Sequence, residues 1–131
     1  MIKFSDYLVN FLSKKGLSQS FGITGGGAMH LNDSFAKSKK IKSIFTHHEQ
    51  SAAMAAESYY REIGKPCILN VTSGPGGTNS ITGVAGAWID SIPMFIISGQ
   101  VESHHMIKNT KLRQIGIQEI NIIDVVKKII L

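Results

Sequence analysis

Glu49 follows an apolar stretch, Ile41 to Thr46, and opens an alanine-rich run, so its carboxylate falls where a strand gives way to a helix. Two chemistries suit that place. As a helix-capping acid it gains roughly 0.3–1 kcal/mol from the helix N-terminus. In an apolar pocket it would hold a proton more firmly and hydrogen-bond a basic ring nitrogen. Ala52, Ala53, Ala55 and Ala56 keep the neighbouring surface thin and leave room for a flat ligand. A second segment, Thr72-Ser73-Gly74-Pro75-Gly76-Gly77-Thr78-Asn79, joins glycines that permit close backbone approach to a proline that fixes one φ angle. Asn79 carries an amide that donates and accepts together, as recognition of a pyrimidine edge requires. The same segment also reads as a turn and a helix N-cap. A third, Gly25-Gly26-Gly27, is either a tight strand-to-helix turn or a cradle of backbone N–H groups for phosphate. Its spacing fits neither G-x-G-x-x-G nor G-x-x-x-x-G-K-[ST].

His30, His47, His48, His104 and His105 raise the question of a metal. Adjacent histidines on a strand point to opposite faces, and H-E-x-x-H is absent, so no metal ligand is expected in this chain. Cys67, the single cysteine, excludes a disulfide framework and a four-thiolate zinc site. It lies in an apolar stretch and reads as a buried, unreactive thiol. Trp88 and the run Met94 to Ile97 read as core.

The elements that must position these residues alternate. Ser5 or Asp6 can cap a first helix that ends at Gly16; a short strand, Ser20 to Ile23, then runs into the glycine triplet. A weaker helix covers about 28–36, a strand 41–46, and the clearest helix runs from Glu49 to Ile63 with Gly64 as its stop. A third strand, Cys67 to Thr72, feeds the Gly-Pro-Gly-Gly turn, followed by an Ala/Gly-rich helix to about Asp90. Met94 to Ser98 is a fourth strand, apolar throughout as in a sheet covered on both faces. Residues 99–118 are polar and irregular, and Asn121 can cap a final helix apolar to Ile129, Ile130 and Leu131. Such alternation predicts a three-layer α/β/α fold with a mostly parallel sheet. Ligands of such sheets bind beyond the carboxyl ends of the strands, where the glycine triplet, His48-Glu49, the Gly-Pro-Gly-Gly turn and Gly99-Gln100 all fall.

Composition narrows the classes. The chain has 131 residues, 43% hydrophobic and 18% charged, which suits one folded domain and argues against disorder. The formal charge is +5, but the basic residues are scattered as pairs such as Lys14/Lys15, Lys39/Lys40 and Lys127/Lys128, so no nucleic-acid partner is expected. No apolar run approaches the roughly 18–20 residues of a membrane span, and Met1 to Asp6 lacks the order of a signal peptide. A cytoplasmic protein without a membrane partner is expected.

Five segments occur in one order: Phe21-Gly22-Ile23-Thr24-Gly25-Gly26-Gly27; His48-Glu49-Gln50 with Ala55-Ala56-Glu57-Ser58-Tyr59; Thr72 to Asn79; Asp90-Ser91-Ile92-Pro93; and Ser98-Gly99-Gln100-Val101. Together, over about residues 4–131, they resemble the N-terminal, pyrimidine-binding domain of thiamine-diphosphate enzymes of the acetolactate synthase type. The resemblance implies that Glu49 is the catalytic residue, hydrogen-bonding the aminopyrimidine ring nitrogen and so promoting loss of the thiazolium C2 proton. It implies that Pro75 and Asn79 line the pyrimidine pocket, that the Gly26 backbone faces the reacting centre, and that Gln118 of Ile117-Gln118-Glu119 matches a family glutamine. Gly25 and Thr72 belong with these among the implied cofactor-binding residues. The implied substrate is a 2-oxo acid, decarboxylated and joined to an acceptor. FAD is compatible with the family, and no residue of this chain supports it.

The chain departs from the family pattern at Thr24, Gly27, His47 and Ile117, where proline, alanine, arginine and phenylalanine are usual. Its long 101–118 stretch, with Leu112-Arg113-Gln114-Ile115-Gly116, is more similar to synthase-like proteins of bacterial surface-polysaccharide clusters. No Gly-Asp-Gly…Asn segment is present, so Mg2+ and the diphosphate are expected on a second domain, from another segment or chain. Residues 1–131 are therefore read as one pyrimidine-binding domain truncated at its C-terminal end, inactive alone and part of a homo-oligomer. The other readings are the small subunit of a split 2-oxo-acid decarboxylase and a non-catalytic cofactor-sensing module.

Overall fold

The computed structural model describes residues 1–108 and 110–130; Leu131, the last residue of the expected apolar end, lies outside them. Four strands, β1 (Gln19–Gly22), β2 (Lys42–Phe45), β3 (Ile68–Val71) and β4 (Phe95–Ser98), form one sheet in the order β2-β1-β3-β4. Every pairing is parallel, with Phe21 beside Ile44 and Leu69, and Leu69 beside Ile96. Among the described residues six α-helices flank it: α1 (Phe4–Lys14), α2 (Met29–Lys37), α3 (Glu49–Ile63), α4 (Pro75–Asn79), α5 (Ile81–Ile89) and α6 (Ile122–Ile130).

Alternation along the strands builds two cores. On one face Phe21, Leu69 and Val71 meet Ala52, Ala53 and Ala56 of α3 and Val84 of α5. On the other, Ile68 packs with Val9 and Leu12 of α1, Phe35 of α2, Leu17 and Ile41. The fold is the expected three-layer α/β/α arrangement. Ser5 and Asp6 do not cap α1; they face α2, where Ser34 Oγ lies 2.8 Å from Ser5 Oγ and 2.6 Å from Asp6 Oδ1. Lys3 and Lys37 both reach Asp33 at 2.8 Å and hold its carboxyl down to about 2.

Three apolar residues read as core lie outside it. Trp88 is 55% exposed, Phe95 49% and Ile96 39%. Complete burial belongs to the central strands β1 and β3, whereas β4 is an edge strand. Asn121 does cap α6: its Oδ1 accepts from the Asp124 N–H at 3.4 Å. Ile122, Val126 and Ile130 then overlie a cavity of about 550 Å3 shared with Ile81, Val84 and Ile97.

The small residues of α3 and α5 serve to bring these two helices together. A Cβ on Gly83 would lie 2.6 Å from the Ala53 Cβ and 3.1 Å from the Met54 nitrogen. Replacing Gly83 by Val is expected to destabilise the domain by about 1–3 kcal/mol, the usual cost of overpacking, even though glycine is itself a poor helix former. Denaturant unfolding reads this directly, and an unchanged midpoint would mean that the two helices part freely.

Candidate functional site

Because all four strands are parallel, their carboxyl ends share one edge, and the loops leaving them meet there. From β1 comes Gly25 and then a 3-10 turn, Gly26–Ala28. From β2 comes His48, whose Nδ1 accepts from the Gln50 N–H at 3.1 Å and so caps α3. With the cap supplied by His48, Glu49 is free for another partner: its Oε2 accepts from Asn79 Nδ2 at 3.0 Å. The Glu49 carboxylate thus reaches across to α4, while the cap of its own helix comes from His48.

The turn after β3 makes that contact. Gly74 has φ +58, in the left-handed region that glycine favours, and Pro75 occupies the first turn of α4. A side chain on Gly74 would meet the backbone of Gln118, itself held at φ 54. The Thr72 side chain fills the space between two glycines: a Cβ on Gly25 would lie 2.5 Å from it, and one on Gly76 2.6 Å. The Gly76 position is also 3.6 Å from Glu49 Oε1. One chain of contacts thus runs from Gly25 through Thr72 and Gly76 to Glu49 and Asn79.

The seven residues singled out from the sequence fall into two adjoining groups. Gly25, Gly26, Thr72 and Gln118 line a cleft of about 480 Å3, within the range of small-molecule sites. Gly26 is exposed, and a Cβ on it would meet nothing within 4 Å. Glu49, Pro75 and Asn79 lie outside this cleft, on a more open shelf on the other side of Thr72 and Gly76. Cys67 contributes no nucleophile: it is fully buried, and burial pushes its thiol up to about 11.

Two residues escaped the sequence reading. Asn70, 2% exposed on β3, donates through Nδ2 to Asn32 Oδ1 at 2.7 Å, and Asn32 Nδ2 donates to the Gly25 carbonyl at 3.4 Å. This relay ties the glycine loop to the central strand. Its signal was present, since a lone asparagine in an otherwise apolar buried strand must find a partner.

A parallel α/β sheet with glycine loops and the Glu49 carboxylate gathered at its carboxyl edge defines a small-molecule-binding domain of the open, wound type. Residues 2–124 match the family described as thiamine pyrophosphate enzyme, N-terminal TPP binding domain, and the chain belongs to that family. It is 41% identical over 99 residues to the chloroplastic acetolactate synthase of Arabidopsis thaliana, covering 76% of this chain and 15% of that protein. It is 43% identical over 99 residues to the acetolactate synthase large subunit of Buchnera aphidicola from Acyrthosiphon pisum, covering 76% and 17%. Against the isozyme 1 large subunit of Escherichia coli K12 the identity is 39% over 97 residues, covering 74% and 17%. The chain thus spans about a sixth of the length of these relatives. No helix among the described residues is long and apolar enough to cross a membrane.

Proposed function

We propose that this chain forms the pyrimidine-binding wall of a thiamine-diphosphate-dependent enzyme that decarboxylates a 2-oxo acid and joins the product to an acceptor, as the names of the acetolactate synthases suggest. The observation that carries this reading is the Glu49–Asn79 pair beside Gly76. Asn79 engages Oε2 and leaves Oε1 to accept from a protonated ring nitrogen, while the Asn79 carbonyl can accept from an exocyclic amine. This donor set fits an aminopyrimidine. Pro75 and the glycines offer a flat surface with little side chain to displace. Thiamine diphosphate, when bound, supplies the carbanion stabilisation that loss of carbon dioxide requires. Glu49 holds the ring nitrogen in its charged, proton-sharing contact, Thr72 and Gly25 fix the wall behind it, and Gln118 closes the cleft at Gly74.

Mg2+ and the diphosphate belong to a second domain in this reading, and the active site forms where a second subunit or segment meets this edge. Exposed Trp88, Ile89 and Met54 on α5 and α3 suit such an assembly. The division of labour makes a sharp expectation for this chain by itself. Thiamine at millimolar concentration should shift the amide resonances of Gly26, Gly76 and Asn79 in a nitrogen–proton spectrum, weakly and without magnesium. Shifts confined to other regions, or micromolar magnesium-dependent binding of thiamine diphosphate, would overturn it.

A further inference from the structure

The turn Glu102–His105 carries three side chains that the proposed pyrimidine contacts do not employ. The His105 N–H donates to the Glu102 carbonyl at 2.8 Å and closes the turn. Glu102 Oε2 lies 3.0 Å from His104 Nε2 and 3.7 Å from His105 Nδ1, and the two imidazole centroids are 4.1 Å apart. One ligating atom from each residue lies within 4.8 Å of the others, and all three residues are exposed. The objection that neighbouring histidines point to opposite faces applies to a strand. Here the backbone turns between them.

The turn stands on a closed stem. Gln100 Nε2 donates to the Ile120 carbonyl at 2.9 Å, and Gln100 Oε1 accepts from the Val101 N–H at 2.9 Å. Gly116 packs so closely on Val101 that a Cβ there would lie 2.7 Å from it. Glu119 accepts from the Ile107 N–H at 2.5 Å and the Ile115 N–H at 3.4 Å. The three ligating groups therefore sit on a braced loop, and Glu102 and His105 also line the cleft beside the glycine triplet.

We propose that Glu102, His104 and His105 form a site for a divalent transition-metal ion of the zinc class, bound through Oε2, Nε2 and Nδ1, with water completing the shell. Two imidazoles and one carboxylate suit Zn2+, Co2+, Ni2+ or Cu2+, whereas the hard Mg2+ ion takes oxygen ligands. The spacing is apt. Bonds of about 2.0–2.1 Å at tetrahedral angles place ligand atoms about 3.3 Å apart. The 3.0 and 3.7 Å separations bracket that value. An ion bound in it would sit at the mouth of the cleft that Glu102 and His105 line.

The test uses the chain without a polyhistidine tag, titrated with Zn2+ by calorimetry and with Co2+ by visible absorption. One equivalent of each should bind, and excess Mg2+ should not compete. Even groups that only hydrogen-bond to a metal's ligands are worth about 10–100-fold in affinity, so Glu102→Gln, His104→Ala and His105→Ala should each weaken binding at least about tenfold. His30→Ala, at an exposed histidine on α2, should leave it unchanged. Absence of stoichiometric binding, displacement by Mg2+, or binding that survives the triple substitution would overturn the proposal.

Discussion

In the full-length enzyme, with the diphosphate-binding domain present, Glu49→Gln is expected to slow proton exchange at the thiazolium C2 of bound thiamine diphosphate by roughly 10²–10⁴-fold, the contribution typical of general acid–base groups. The substitution keeps shape and removes charge. A glutamine carbonyl can still accept from Asn79 Nδ2, so the 3.0 Å contact survives, as does the packing beside Gly76. What is lost is a carboxylate able to share a proton with a ring nitrogen. Folding should therefore change by no more than about 1 kcal/mol, near the net worth of an ordinary hydrogen bond. The pair of measurements separates function from structure: exchange followed by deuterium incorporation must fall steeply, while the denaturation midpoint hardly moves. Asn79→Ala, which leaves the carboxylate in place but unheld, should give a smaller loss. Exchange at the original rate in the Glu49→Gln protein would remove Glu49 from the reaction.

Much of this architecture is legible in the chain because the signals are local. The helix Glu49–Ile63 is bounded by the residues expected, and Gly64 ends it with φ 70, the left-handed stop that glycine supplies without strain. Each strand announces itself as a short apolar run followed by a glycine or polar turn. Position within the sheet is not local. The unbroken run of β4 reads as a covered strand, yet only the pairing order places β4 at an edge and leaves Phe95 and Ile96 half open. The same holds for Trp88, whose apolar helix gives no hint that one of its faces lacks a neighbour. At the site, spacing brings Glu49 and Asn79 to the same edge, but their hydrogen bond joins residues thirty positions apart. The Asn32–Asn70 contact joins residues thirty-eight apart and has no sequence signature beyond the oddity of a buried asparagine. The histidine pair shows the same limit, since a rule drawn from strands fails where the backbone turns.

Gly99→Ala should damage both the fold and the glycine loop of the cleft. Gly99 is buried at the end of β4, where its N–H donates to the Val71 carbonyl at 2.8 Å. A Cβ there would strike the Gly27 carbonyl oxygen and lie 2.5 Å from its carbon and 2.8 Å from the Ala28 nitrogen. All three are backbone atoms, so no side chain can rotate away to make room. The turn Gly26–Ala28 would have to move as a unit, yet it is held by the 2%-exposed Ala28 and by the Asn32 contact to Gly25. Overpacking of this kind costs about 1–3 kcal/mol, and here the strain falls on the glycine loop that lines the cleft. Unfolding should shift by that amount, and the thiamine-induced shift at Gly26 should disappear while the Glu49–Asn79 contact persists on the other side of Thr72. Gly26→Ala is the matched control: its methyl would meet no atom within 4 Å, so stability should stay within about 0.5 kcal/mol, as for substitutions away from packed sites. If Gly99→Ala proves as innocuous as Gly26→Ala, the close contact of β4 with the glycine loop does not hold that loop in place.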